Sequence, residues 1–204
     1  NFKINTAKAN AFKMRMRIPG WVMNTAVPSD LYKFTSTNNN KPVIKVNGQA
    51  VEYEIENGYA VIDRSWKKND VVDMALPMEV KRVVAIEKIK DDIGKVSLQR
   101  GPIMYCAEWA DNAGKTSNIM LPANASFTTE FKPTLLNGVM TLKTEAPVVN
   151  IKDDETIITE KKTVTVIPYY SWANRGKGEM TVWFPEKVKD LELISAQETA
   201  QPKK

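Results

Sequence analysis

Residues 43 to 63 read VIKVNGQAVEYEIENGYAVID. Residues 43 to 46 are a short, mostly apolar run that stops at Asn47-Gly48. An Asn-Gly pair supplies the two positive φ angles of a type I′ turn, so the chain is expected to return as a hairpin through Val51, Tyr53 and Ile55. Asn57-Gly58 repeats the signal and sends residues 59 to 62 back again. Successive tight turns between β-branched and aromatic runs predict an antiparallel meander.

The same reading extends in both directions. Upstream, Phe12, Met14, Met16 and Ile18 alternate with Lys13, Arg15 and Arg17. That is period two, with the apolar face expected to be buried and the basic face wet, and Pro19-Gly20 ends the run. Downstream, residues 67 to 70 turn the chain into a strand over 71 to 76. Residues 96 to 98 and 103 to 106 flank Arg100-Gly101-Pro102 as two more. Strands are expected again at 126 to 131, 139 to 143, 163 to 168 and 179 to 184, with Asn137-Gly138 as a third hairpin turn. Residues 80 to 90 admit a helix, but their β-branched content favours an irregular strand as well. The fold class is therefore all-β, with two antiparallel β-sandwich domains of jelly-roll or immunoglobulin-like kind. The first is expected over residues 1–112, a linker over 113–117, the second sandwich over 118–196, and a frayed tail over 197–204. One continuous sandwich is the alternative.

Composition narrows the chemistry. The 204 residues are 43% hydrophobic and 26% charged, which is ordinary for a globular fold. No apolar run approaches the ~20 residues of a membrane helix, so no membrane partner is expected. The start at Asn1 rather than Met leads us to expect a piece of something longer. The sequence contains no histidine, which excludes Ser-His-Asp and Cys-His sites and any zinc held by imidazole. Cys106 is the single cysteine; it excludes an internal disulfide and a cysteine zinc cluster, and reads as buried and inert. The net charge is +5, yet basic residues are interspersed with acidic ones and cluster only as pairs such as Lys67-Lys68 and Lys161-Lys162. No nucleic-acid partner is expected.

Few residues invite a functional reading. Glu52, Glu54 and Glu56 alternate on one face, most simply a solvated one. Asp153-Asp154-Glu155 lacks the spacing and glycine of a calcium loop and reads as an acidic turn. Asn124-Ala125-Ser126 is a formal glycosylation sequon. The segment from Pro168 to Gly178 gathers aromatics, an amide, an arginine and two glycines between two strands. Tyr170, Trp172, Asn174 and Arg175 make it a candidate contact loop. The other reading is a hairpin loop folding its aromatics over the edge of its own core. No catalytic, cofactor-binding or metal-binding residue is assigned, and no cofactor is expected in this chain.

An ordered set of motifs carries a resemblance. Arg17-Ile18-Pro19-Gly20-Trp21, Val46-Asn47-Gly48, Gly58-Tyr59-Ala60, Arg64-Ser65-Trp66 and Asn69-Asp70 come first. Leu76-Pro77-Met78, Gln99-Arg100-Gly101-Pro102, Tyr105-Cys106, Asp111-Asn112 and the stretch from Pro168 to Trp183 follow. In this order and spacing they resemble the region after the catalytic barrel in glycoside hydrolase family 127, over residues 12 to 185. The resemblance implies a secreted or periplasmic β-L-arabinofuranosidase acting on arabinose-containing plant glycans. It implies an α/α toroid with a cysteine nucleophile and a zinc held by cysteines and a glutamate, followed by β-sandwich domains. The nucleophile and zinc motifs have no counterpart here. The expected function is thus a non-catalytic accessory module that packs against and stabilises the catalytic barrel. Its expected partner is that missing barrel of the same polypeptide, with a plant-type glycan as a further ligand. The alternative is an independent carbohydrate-binding module using exposed tryptophans.

Overall fold

The structure, a computed structural model, describes residues 1–37, 40–152 and 156–191. Two compact units emerge. One comprises residues 1–30 and 36–79, the other residues 31–35 together with the chain from Val80 onward. The division therefore falls between Glu79 and Val80, not at Asn112. Asn112 is stitched into the second unit: its amide donates to Glu108 O and Thr165 O, both at 2.9 Å, and accepts from Thr165 N at 3.0 Å. Within the expected linker, Thr116 is fully buried and donates its N–H to Glu179. The tail over 197–204 and the Asp153-Asp154-Glu155 turn lie outside the described residues.

The chain begins with β1 (Phe2–Lys3) and β2 (Asn10–Arg17), then crosses to the second unit as β3 (Tyr32–Phe34). It returns for β4 (Val43–Val46), β5 (Gln49–Ala50), β6 (Glu54–Glu56), β7 (Tyr59–Trp66) and β8 (Val71–Ala75). In the first unit the strands form two sheets, ordered β1-β8-β4-β5 and β2-β7-β6. They share a core that includes Met16, Ile18, Ile44, Val46, Ile62, Trp66 and Val72. Asn47 and Gly48 lie at φ 53° and 82°, and Asn57 and Gly58 at 51° and 80°. Both pairs therefore meet the backbone demand of the type I′ turn that the sequence predicts. The return strand is not continuous. It pairs with β4 for two residues as β5, then joins β7 in the other sheet as β6.

The β2–β7 register explains the alternation at residues 12 to 18. Met14 faces Ile62 and Met16 faces Ala60 on the core side, while Lys13 faces Asp63 and Arg17 faces Tyr59 outside. Met16 and Ile18 are buried and Met14 half-buried. Phe12 departs from the expectation at 38% exposed, because it lies at the open end of the sheet. There it stacks on buried Trp66 at 5.7 Å, and the indole N–H donates to Phe12 O.

The second unit continues through β9 (Val80–Ala85), β10 (Lys95–Arg100), β11 (Ile103–Glu108), β12 (Thr128–Lys132), β13 (Val139–Ile151), β14 (Ile157–Pro168), β15 (Met180–Thr181) and β16 (Phe184–Pro185). Single 3-10 turns lie at Lys90–Asp92, Trp109–Asp111, Tyr169–Ser171 and Val188–Asp190. Of residues 80 to 90, Val80–Ala85 form a strand and the rest lead into the 3-10 turn that begins at Lys90, with no α-helix among them. The sheet order is β12-β13-β14-β11-β10-β9-β3. Past the Leu98–Tyr105 pair, β10 and β11 diverge, and the strand expected at 179 to 184 enters the gap in two pieces. β15 pairs β11 and β16 pairs β10.

Residues 118 to 121 close the arrangement. Val149 N donates to Asn118 O and Met120 N to Pro147 O on one side, and Leu121 N donates to Pro185 O on the other. The enclosed core includes Leu98, Tyr105, Ile119, Leu121, Leu142, Val166 and Phe184. The third expected turn is displaced by one residue. Leu136 and Asn137 are its central positions, at φ 48° and 64°, and Gly138 N bonds Leu135 O.

Candidate functional site

β11 carries mostly apolar residues into the core, IMYCAE, and ends on Glu108, whose side chain is 2% exposed. An ionised carboxylate at that depth is costly unless it is paired and hydrogen-bonded. The pairing comes from the contact loop. Arg175 Nε donates to Glu108 Oε2 at 2.9 Å and Nη1 to Asp111 Oδ1 at 2.8 Å, while Nη2 reaches both carboxylates. The other Glu108 oxygen accepts the Ala173 N–H at 3.0 Å. The bond to Asp111 is the main cause that raises the Arg175 pKa; burial opposes it and Glu108 adds to it. One planar fork thus ties the loop to the end of β11 and to the turn after it.

The rest of the loop follows from small local devices. Ser171 donates to Pro168 O at 2.7 Å, and the Asn174 amide donates to Ser171 O and Trp172 O. Gly178 runs so close to the Trp109 ring that an added Cβ would lie 2.1 Å from Cδ1. Just beyond, Glu179 accepts from Thr116 N, Ser117 N and Ser117 Oγ. Burial works against its charge, but these bonds outweigh burial and lower its pKa.

Of the four residues expected to form a contact surface, two bond within their own unit, and of these Asn174 stays exposed. Arg175 makes four hydrogen bonds to Glu108 and Asp111, and Asn174 braces the loop backbone. Trp172 is half-buried, its ring 6.1 Å from that of Tyr169. Tyr170 is 68% exposed and Tyr169 44%, so the loop's exposed aromatic rings are these two tyrosines, beside Asn174 and Lys177. Sequence reading missed Glu108 and Asp111, which lie more than sixty residues upstream of their partner. The signal available was an acidic residue ending an apolar strand.

Other features are structural. Cys106 is fully buried, and burial, followed by the Glu108 charge, pushes its thiol up to about 12. Among the described residues no group of three or more acidic or cysteine side chains could hold a metal ion. Glu52 and Glu54 are exposed, and Glu56 pairs with Arg15 at 2.6 Å. Trp66 is buried and the other four tryptophans are half-buried. An open groove of about 690 Å³ runs over Asn124, Thr128, Lys143, Glu145, Lys161 and Thr163 without an aromatic in its lining.

Two all-β units with this motif order define the class: β-domains of a glycoside hydrolase. Residues 1–78 match the family described as beta-L-arabinofuranosidase, GH127 middle domain, and residues 80–185 match the glycoside hydrolase family 127 C-terminal domain. The chain belongs to glycoside hydrolase family 127. It is 31% identical over 191 residues to a non-reducing end beta-L-arabinofuranosidase of Bifidobacterium longum, a match covering 87% of this chain and 26% of that protein. A solved β-arabinofuranosidase of the same family aligns over 91% of this chain and 29% of its own, at 39% identity and a TM-score of 0.85. A family 127 β-L-arabinofuranosidase from Geobacillus stearothermophilus aligns at 34% identity and a TM-score of 0.74, over 91% of this chain and 28% of that one. The chain therefore spans about a quarter of the length of the relatives it matches.

Proposed function

We propose that this chain serves as the non-catalytic accessory part of a longer β-L-arabinofuranosidase acting on arabinose-containing glycans, packing on and stabilising its catalytic barrel. The observation that carries this reading is coverage. The chain aligns over nearly its whole length with middle and C-terminal domains, while roughly three quarters of each relative lies outside the match. Within the chain, a buried charge cluster fixes a loop from which Tyr169 and Tyr170 project. Tyrosine gives broad, rigid contact area with a polar tip, which suits a domain interface. The reading of the chain as an independent sugar binder finds less support, since the open groove has no ring for a sugar face to stack on.

The test is Tyr170→Ala, made in the longer polypeptide and in this chain. Docking predicts that the longer protein melts several degrees lower, while this chain, in which the ring is largely exposed, melts almost unchanged. Equal shifts in both would remove the docking role. Binding of arabinan oligosaccharides by this chain alone would favour the independent module instead.

A further inference from the structure

The sequence repeats one reactive dipeptide three times, and the fold treats each copy differently. At Asn47-Gly48 the side chain is locked: Nδ2 donates to Asp70 Oδ1 at 2.9 Å and Oδ1 accepts Val71 N at 2.8 Å. At Asn137-Gly138 the Gly138 N–H donates to Leu135 O at 2.8 Å. At Asn57-Gly58 neither the Asn57 amide nor the Gly58 N–H has a hydrogen-bond partner among the described residues; only Gly58 O is held, by Ile18 N at 2.9 Å and Arg17 Nη1 at 2.8 Å. Asn47 and Asn57 are both exposed and have nearly the same φ, 53° and 51°, so neither exposure nor φ separates them.

We infer that Asn57 is the site at which this chain deamidates spontaneously, through a cyclic imide with Gly58, while Asn47 and Asn137 are protected by the fold. The reacting atoms are the Gly58 nitrogen and the Asn57 side-chain carbonyl carbon, Cγ. A new N–Cγ bond forms and the Cγ–Nδ2 bond breaks. The leaving nitrogen departs as ammonia, taking up the proton lost by the Gly58 nitrogen, and a five-membered succinimide remains. Water then adds to one of its two carbonyl carbons. Cleavage of the N–Cγ bond gives aspartate; cleavage at the original backbone carbonyl gives isoaspartate, with the chain rerouted through the side chain. Nothing is oxidised or reduced, and water is the only co-reactant.

A type I′ turn directs the glycine nitrogen away from Cγ, so the sites at Asn47 and Asn57 must open before they react. What differs is what opening must break. At Asn47 two side-chain bonds are lost, one of them to a carboxylate, which slows the reaction roughly ten-fold or more relative to Asn57. At Asn137 the attacking N–H must first leave its carbonyl. Glycine, without a side chain to hinder attack, follows asparagine at all three sites, so the unfolded chain provides the reference rate.

The experiment is incubation of the chain in mildly alkaline buffer, folded and in urea, followed by peptide mapping that separates aspartate from isoaspartate. In urea the three sites convert at similar rates. In the folded chain position 57 converts first, at least about ten-fold ahead of position 47. A second arm uses Asp70→Ala, which removes the carboxylate partner of Asn47 Nδ2 while the Val71 N bond remains, and accelerates conversion at position 47 towards that at 57. Folded protein in which position 47 or 137 keeps pace with 57 overturns the inference. So does retention of Asn57 after the urea control has converted; both comparisons stand even if the Asp70 variant does not fold.

Discussion

Replacing Arg175 with alanine removes the cation that pairs with Glu108 and Asp111, whose side chains are 2% and 16% exposed. Removing one partner of a buried ion pair costs about 3–5 kcal/mol, because the remaining charge stays buried. Arg175 is itself 20% exposed, so water can enter part of the vacated space, and the lower end, about 3 kcal/mol, is expected here. The Ala173 N–H would still serve Glu108, but both guanidinium contacts to each carboxylate would be gone. Hydrogen exchange under increasing urea reads the effect unit by unit. Amides of β11 and β14 should lose protection, while those of β2 and β7 in the other unit serve as the internal reference. Adding Glu108→Gln to the alanine variant removes the stranded charge. The double variant should therefore lose less than the sum of the two singles, by roughly 1 kcal/mol or more. Purely additive singles, or β11 protection that moves no more than that of β7, would refute the view that this cluster fastens the loop.

Three further outcomes follow from the geometry. Gly178→Ala forces a Cβ into the Trp109 ring and should lower the stability of the second unit by about 1–3 kcal/mol, with a shift in tryptophan emission. Gly48→Val meets no atom within 4 Å, so its cost is backbone strain at φ +82° alone; about 1–2 kcal/mol is expected in the first unit by urea titration. The Asp70 pKa is lowered by the Asn47 side-chain bond first and by the Lys67 N–H second, and that of Glu179 is lowered by its bonds from Thr116 and Ser117 against an opposing partial desolvation. The folded state thus binds these protons less readily than the unfolded chain. Their contribution is complete above pH about 4, the unfolded value, and is lost as pH falls through the lower folded values. The urea midpoint should accordingly stay level near neutrality and drop on acidification, and Asn47→Ala should shrink the drop in the first unit.

Local signals in the sequence carried the local structure. Asn47-Gly48 and Asn57-Gly58 dictated positive φ, and the alternation at residues 12 to 18 dictated a face, because both depend on neighbours in the chain. Phe12 escaped that logic because its burial depends on where the sheet ends. The domain boundary escaped it too. The small polar stretch around residues 112 to 118 has linker composition, yet Asn112 and Thr116 spend their polar groups on β14 and Glu179. Arg175 was visible as a member of a loop, but the carboxylates it meets are set by how β11 and the loop after β14 come together. Such pairings are properties of the fold, and no spacing rule announces them.

Release of arabinose from a β-L-arabinofuranoside, measured in parallel for the longer polypeptide and for this chain alone, bears most directly on the accessory assignment. Turnover by the longer protein and none by this chain is the predicted result. Turnover by this chain that persists through repurification and disappears on a single substitution within it would contradict the assignment.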